Sequence, residues 1–241
     1  MALFGAAGEG VLFFLRWFHF LAGIAWIGML YYFNFVQTPF FAGAEPAVRS
    51  GMLSGGLVAR ALWWFRWGAM ITFITGWLII FHRMGQQGLD GFFGTPYGWL
   101  IFFGGMLGSV MWANVWFVIW PAQQVVMASA AQVKAGGQAI AEAAARGQRS
   151  GFASRTNTML SIPMLFFMGA ASHLGLAGPT TGGGARFAAL VLLAVVLVAA
   201  EVNALVGTTG AGKKMLATVS GTLWAGFVLT AILYFGLEII F

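Results

Sequence analysis

Three histidines are the residues of this sequence best suited to hold a metal, and each lies within or beside an apolar run. They are His19, His82 and His173. An ionisable side chain within a membrane-length apolar segment is costly and points to a functional site. Imidazole is a common axial ligand of haem iron. The histidines therefore indicate a metal or haem site, although a histidine near a helix end can instead hydrogen-bond a carbonyl or headgroup water.

Glycines lie four residues from two of the histidines. Gly23 follows His19 and Gly169 precedes His173, so each glycine lies on the same helix face as its histidine. The missing side chains leave room there for a flat macrocycle. The pattern predicts a non-covalent haem b with His19 and His173 as its axial ligands.

Further side chains complete the predicted haem site. Arg16 and Arg83 are the expected partners of the haem propionates, since guanidinium groups pair well with carboxylates. His82 is a possible third ligand, although its place beside Arg83 favours a position at the membrane interface. The predicted walls of the ring are aromatic: Trp26, Phe166 and Phe167.

The composition is that of an integral membrane protein. Of the 241 residues, 60% are hydrophobic and 7% are charged, and the mean hydropathy is +0.87. Soluble domains carry about 25% charged residues. The absence of cysteine excludes disulfides, zinc–cysteine sites, iron–sulfur clusters and covalently attached c-type haem. The net charge of +6 comes from residues scattered through short loops, which does not indicate nucleic-acid binding.

Apolar segments of about 20 residues predict transmembrane helices. The fold class is therefore an all-α integral membrane protein, forming a single membrane domain over residues 1–241. The segment 122–156 is predicted to form interfacial helices, broken at Gly136-Gly137. The six predicted spans are residues 11–36, 62–82, 97–120, 158–177, 186–207 and 217–240.

Lysine and arginine are concentrated in the loops on one side of the predicted bundle. Nine of the twelve lie there, which predicts that this side is cytoplasmic and that both termini are periplasmic. The expected location is the inner membrane of a bacterium, with lipid around a multi-pass chain. All three histidines then belong to the outer half of the membrane.

Several polar residues lie within the predicted spans. Asn114 is expected to hydrogen-bond across helices, as polar residues in membranes commonly do. Glu201 and Glu238 are candidates for a proton path, although each is close enough to an interface to be solvated.

Several motifs resemble those of one family. They are "LRWFHFLAGIAWIGMLYYFN" (15–34), "LWWFRWGAMITFITG" (62–76), "SVMWANVWFVIWPAQQVV" (109–126) and "GQRSGFASRTNTMLSIPMLFFMGAASH" (147–173). In this order they resemble the membrane domain of the bacterial urate oxidase (urate hydroxylase) that is fused to a cytochrome c. A weaker similarity, carried by a histidine ahead of Trp-x-Gly, extends to haem-b membrane proteins of the HemJ and CopD types.

The resemblance implies a helical membrane module that passes electrons to or from a periplasmic cytochrome c within a larger complex. Because the chain has no CxxCH motif, a separate cytochrome c is the expected partner. The resemblance implies functional roles for His19, His173, Arg66, Asn114, Pro121, Arg149, Ser150, Asn157 and Pro163.

Three other functions remain open from the sequence. The first alternative is a cofactor-free structural subunit of a membrane enzyme complex. A transporter is less favoured, because no pair of interrupted spans marks a midplane binding site. Urate oxidation by this chain alone is the least favoured, because only the proposed haem supplies a redox group.

Overall fold

The computed structural model describes residues 9–241, and every regular element in this range is a helix. The predicted all-α class is therefore confirmed, while residues 1–8 of the predicted domain lie outside the described range. Two π-helical segments, π1 (Tyr32–Gln37) and π2 (Asn114–Ile119), each lie within a longer continuous helix. The α-helices are α1 (Glu9–Tyr31), α2 (Thr38–Gly43), α3 (Pro46–Ser54), α4 (Leu57–Phe93), α5 (Pro96–Ala113), α6 (Trp120–Lys134), α7 (Ala143–His173), α8 (Gly183–Leu205), α9 (Ala211–Met215) and α10 (Val219–Ile240).

Five of the helical stretches are long and apolar enough to cross a membrane. They are Glu9–Gly43, Leu57–Phe93, Pro96–Lys134, Gly183–Leu205 and Val219–Ile240. The chain is thus a membrane protein with transmembrane helices. The predicted fourth span, 158–177, falls largely within α7, which is not among the five and ends at His173. The count of six spans therefore stays a prediction.

Helix α7 is too polar to count among these five apolar stretches. Its position inside the bundle explains why it can carry polar residues. It packs against α5, α6, α8, α10 and both π segments. Its buried residues include Ser150, Thr156, Asn157 and Ser161. A helix surrounded by protein can bury polar side chains that hydrogen-bond to its neighbours, whereas a helix facing lipid cannot.

The segment 122–156 differs from the predicted separate interfacial helices. Its first part, α6, continues the helix that begins at Pro96, and its last part is the first half of α7. The predicted break is present, since α6 ends at Lys134 and Gly136 has a φ of +85°. Gln123 Nε2 donates to Ser150 Oγ at 2.9 Å, which joins the two parts as an antiparallel pair.

Helices α1 and α4 pack closely as an antiparallel pair, and at Gly68 the two backbones approach each other. A methyl group on Gly68 would lie 3.1 Å from the carbonyl oxygen of Ala22 and 3.1 Å from the backbone nitrogen of Trp26. Glycine is therefore required where the two backbones cross. This crossing fixes which face of α1 is turned toward α4.

Candidate functional site

The two π segments are associated with prolines inside long helices. Pro39 lies two residues beyond π1, and Pro121 lies two residues beyond π2. Proline has no N–H and its ring displaces the carbonyl four residues earlier, so an α-helix cannot continue unchanged. A wider π turn accommodates this disruption, and such turns are frequent at functional sites. The part of the bundle interior that the two π segments face is therefore a candidate functional site.

Each π segment carries an asparagine that hydrogen-bonds to α7. Asn34 Nδ2 donates to Ser154 Oγ at 2.8 Å and to the carbonyl of Leu30 at 2.9 Å. Asn114 Nδ2 donates to Asn157 Oδ1 at 2.9 Å. The wider turns thus direct polar side chains into the bundle, where α7 supplies the partners.

A cavity of about 290 Å³ lies between π1, α2, α7 and the start of α10. A smaller cavity of about 90 Å³ lies on the other side of π1, toward α4 and α6. Asn34, Thr38 and Arg155 line both cavities. We call the two together the Arg155 cavity, because this side chain is the only charged group that residues 9–241 contribute to either lining.

The guanidinium of Arg155 faces this space without an acidic partner. The ion pairs of the described residues are Arg146–Glu142 and Arg186–Asp90, which both lie elsewhere. Gln37 Oε1, in the smaller cavity, is buried and has no hydrogen-bond partner among residues 9–241. The cavity therefore combines a positive charge with an unused acceptor.

A second polar cluster joins three helices beside the cavity. Asn114 Nδ2 also donates to Glu201 Oε1 at 2.8 Å, and Asn157 Nδ2 donates to the carbonyl of Met111 at 2.9 Å. The predicted cross-helix role of Asn114 is confirmed, and Asn157 shares it. Glu238 lies apart from this cluster, where its carboxylate accepts from the backbone N–H of Ala177 at 3.0 Å.

Arg66, another predicted polar residue, lies in an aromatic cage. Its guanidinium carbon is 3.9 Å from the ring centroid of Trp120, 5.0 Å from Trp116 and 5.7 Å from Trp67. Cation–π contacts of this kind stabilise a charge with little access to water. Arg149 is exposed on the surface of α7 and contributes to neither cavity.

His19 contacts α4 through a hydrogen bond to Thr75. Its Nδ1 lies 3.1 Å from Thr75 Oγ1. The single hydroxyl proton of Thr75 is directed to backbone carbonyls, at 2.7 Å from Ile71 and 3.2 Å from Thr72. With that proton used, Thr75 Oγ1 acts as the acceptor, which assigns the shared proton to Nδ1. In a neutral imidazole Nε2 then carries the free lone pair.

His173 is exposed at the end of α7, at the same level of the bundle as His19. Tyr31 Oη and Ser161 Oγ are 2.9 Å apart, which sets the register of α1 against α7. From this bond each histidine lies twelve residues, or about 18 Å, toward the same end. Gly169 is also exposed, with open space where a side chain would be.

The other predicted packing residues face different neighbours. Gly23 lies against α4, where a methyl group would be 3.9 Å from Thr72. Trp26 is buried at the α1–α4 crossing, and Phe166 packs on Tyr234 at a ring-centroid distance of 5.3 Å. Phe167 packs on Phe103 in the core. These neighbours belong to other helices of the bundle, and the role of these residues as haem walls stays a prediction.

Three further residues of the predicted haem site are exposed or half-buried. Arg16 is exposed, and Arg83 is half-buried with an Nε that has no partner among residues 9–241. His82 is half-buried, and its Nε2 also lacks a partner in that range. Helix α4 continues past both residues to a kink at Gly88, where φ is +72°, so His82 lies within a helix and about one and a half turns before the kink.

Sequence reasoning missed Asn34, Gln37, Thr38 and Arg155 as site residues. Asn34 and Gln37 belong to the motif "NFVQTP", in which a proline interrupts a long apolar helix after two amide side chains. That combination is the signal for a π turn with inward polar groups. No comparable local signal identifies Arg155, since its cavity exists only when four helices meet.

The comparisons with known proteins agree with one of the two resemblances. A family model described as urate oxidase N-terminal matches residues 92–235, which is more than half of the chain. The match includes the motifs at 109–126 and 147–173, while those at 15–34 and 62–76 lie outside it. The weaker similarity to HemJ and CopD proteins has no support. No curated protein and no solved structure matches the chain. The chain therefore belongs to the urate oxidase N-terminal family.

Proposed function

We propose that the chain is the electron-transfer module of an inner-membrane oxidoreductase. It would hold a haem b between His19 and His173 and exchange electrons with a cytochrome c near the periplasmic face, within a larger complex. The observation that carries this proposal is the hydrogen bond between His19 and Thr75. Thr75 keeps the proton on Nδ1 and leaves Nε2 with the lone pair that a metal ligand needs.

The residues around the histidines fit a haem in part. Metal-bound histidines usually donate their second ring N–H to a neighbouring acceptor, and Thr75 provides that acceptor for His19. His173 and Gly169 are exposed and at the same level of the bundle as His19. The buried Nε of Arg83 has no acceptor among residues 9–241, and a propionate would provide one.

The side chains predicted to wall the haem already have protein neighbours. Gly23, Trp26 and Phe166 pack against protein, so the ring would lie on the exposed sides of His173 and Gly169. The membrane or a partner subunit would cover that side. When bound, a haem with two imidazole ligands would supply one-electron transfer.

The test is an absorption spectrum of the purified full-length protein in mild detergent. We expect a b-type α-band in the dithionite-reduced minus oxidised spectrum, with about one haem per chain by pyridine haemochrome. His19→Ala and His173→Ala should each abolish the band, because each removes an axial ligand. His82→Ala is the matched control and should retain it.

Two results would contradict the proposal. Loss of the band in His82→Ala alone would show that the ligand pair is wrong. A flat spectrum from folded protein still bound to a constant amount of one partner would favour the cofactor-free structural subunit. Transport of a small molecule by the isolated chain without a haem band would favour a transporter. Oxidation of urate by the isolated chain without a haem band would favour a urate oxidase that needs no partner.

A further inference from the structure

We propose that the larger part of the Arg155 cavity binds the headgroup phosphate of an anionic phospholipid from the surrounding membrane. In this site the guanidinium of Arg155 and the N-terminal turn of α10 hold the phosphate, and an acyl chain lies along the exposed face of α7. The inference concerns a membrane lipid, goes beyond electron transfer and does not depend on a haem.

The larger part of the cavity opens on the lateral surface of the bundle. Thr38 and Pro39 of α2 form one rim, Thr218 and Val219 at the start of α10 form the other, and all four residues are exposed. Arg155 of α7 also lines the cavity and is half-buried. A lipid can therefore enter from the side of the bundle without passing between packed helices.

The cavity lies at the depth where lipid headgroups are expected. Thr218 immediately precedes the membrane-length stretch Val219–Ile240, and the α2 residues of the lining lie in the last two turns of Glu9–Gly43. Arg155 comes three residues before the predicted span 158–177. Membrane-length stretches end near the headgroup region. Basic pockets between helices at this level are suited to anionic headgroups.

The charge of Arg155 suits a phosphate. Its guanidinium has no acidic partner among residues 9–241, and this range contributes no aspartate or glutamate to the lining. A guanidinium can donate two parallel hydrogen bonds to phosphate oxygens. A half-buried cation at the edge of the membrane is costly unless a negative group neutralises it, and an anionic lipid would provide that group.

The start of α10 is a second source of positive potential in the same cavity. Thr218 caps this helix, and its Oγ1 accepts from the backbone N–H of Gly221 at 3.0 Å, so the hydroxyl can still donate its own proton. The N-terminus of a helix carries partial positive charge and unpaired N–H groups, which favour a phosphate. Arg155 and the α10 terminus thus independently favour an anion at this position.

The face of α7 beyond Arg155 has room for an acyl chain. Ile162 and Leu165 follow Arg155 toward the other end of the bundle, and Leu165 is 46% exposed. Leu165 lies ten residues, or about 15 Å, from Arg155, which is half of the roughly 30 Å hydrocarbon thickness. The chain would end near Leu165, well before His173, so the lipid and the proposed haem do not compete for space.

Native mass spectrometry of the full chain in detergent micelles tests the proposal by counting bound lipid, with phosphatidylglycerol as the probe. Phosphatidylcholine with the same acyl chains is the matched comparison, because its choline cation offsets the phosphate charge. Glycerol phosphate is the headgroup without the chains. We expect saturable binding of phosphatidylglycerol about 5- to 10-fold tighter than that of phosphatidylcholine, and much weaker binding of glycerol phosphate.

Substitutions at Arg155 separate charge from geometry. Arg155→Gln should weaken phosphatidylglycerol binding on the order of 10-fold, because a charge-assisted contact is lost. Arg155→Lys should weaken it only about 2- to 3-fold, since the charge remains and the two parallel donors are lost. Arg146→Gln, which alters only an exposed ion pair of the same helix, should bind the lipid like the unaltered chain.

Each contrary outcome overturns a stated part. Equal binding of the two lipids by the unaltered chain would overturn the selection of an anionic headgroup, and this comparison holds even if Arg155→Gln does not fold. Unchanged affinity in folded Arg155→Gln would overturn the role of Arg155. Glycerol phosphate binding as tight as phosphatidylglycerol would show a site for a small soluble anion instead of a lipid. Since lipid is counted without any haem band, failure here is distinguishable from failure of the electron-transfer proposal.

Discussion

Thr75 contacts His19, although the sequence gives no indication of this contact. It lies 56 residues from His19 and accepts the hydrogen bond that sets the histidine tautomer. Threonine is common in membrane helices, where its hydroxyl bonds to its own backbone, so its type alone carries no functional information. Its importance depends on the antiparallel register of α1 and α4.

If His19 ligates a haem as proposed, Thr75→Val should weaken haem binding about 10- to 100-fold, because the hydrogen bond that orients the ligand is lost. Valine keeps the shape of the side chain and removes the hydroxyl. Haem content at limiting haem concentration and the reduction potential are the measurements. The matched control is Thr72→Val, since the Thr72 hydroxyl bonds only to the carbonyl of Gly68. Equal haem affinity in the two variants would show that Thr75 does not orient His19.

At the scale of the elements, prolines and glycines decide how the helices meet. Pro163 lies within α7, and the carbonyl four residues before it, that of Met159, loses its usual donor. Gly226 of α10 approaches this carbonyl so closely that a methyl group there would lie 2.8 Å away. The backbone of Gly226 thus covers the Met159 carbonyl, which Pro163 leaves without its usual donor.

The α1–α4 crossing makes a direct prediction at Gly68. Gly68→Ala should destabilise the fold by about 1–3 kcal/mol, because the methyl group meets backbone atoms that cannot move independently. Gly28→Ala, in the same helix pair but facing open space, should be neutral or stabilising by up to about 1 kcal/mol. Reversible unfolding in mixed detergent micelles measures both. A neutral Gly68→Ala would contradict the close crossing.

For the whole molecule, the distribution of positive charge predicts the orientation in the membrane. The loop between α6 and α7 should be cytoplasmic and the loop between α7 and α8 periplasmic. Because the chain has no cysteine, single introduced cysteines report on each side without a background. In spheroplasts, an impermeant maleimide should label Thr181→Cys and leave Gln138→Cys unlabelled, while lysed membranes should label both. The reverse pattern would overturn the orientation.

The sequence by itself determined the class of the molecule and much of its local structure. Apolar runs of membrane length can satisfy their backbone only as helices, so the all-α membrane class follows from composition. The break at Gly136 and the cross-helix role of Asn114 also followed from residue type. These properties are local, or depend only on the contrast between water and lipid.

Only the tertiary structure decided which helix faces pack against each other. His19 and Gly23 share a helix face, as predicted, and both contact α4, through Thr75 and Thr72. Residues of π1 and α2, including Asn34 and Gln37, reach Arg155 only because their helix packs on α7, more than a hundred residues later. Helix rotation depends on the fit of all neighbouring helices at once, and the spacing within one helix does not contain that information.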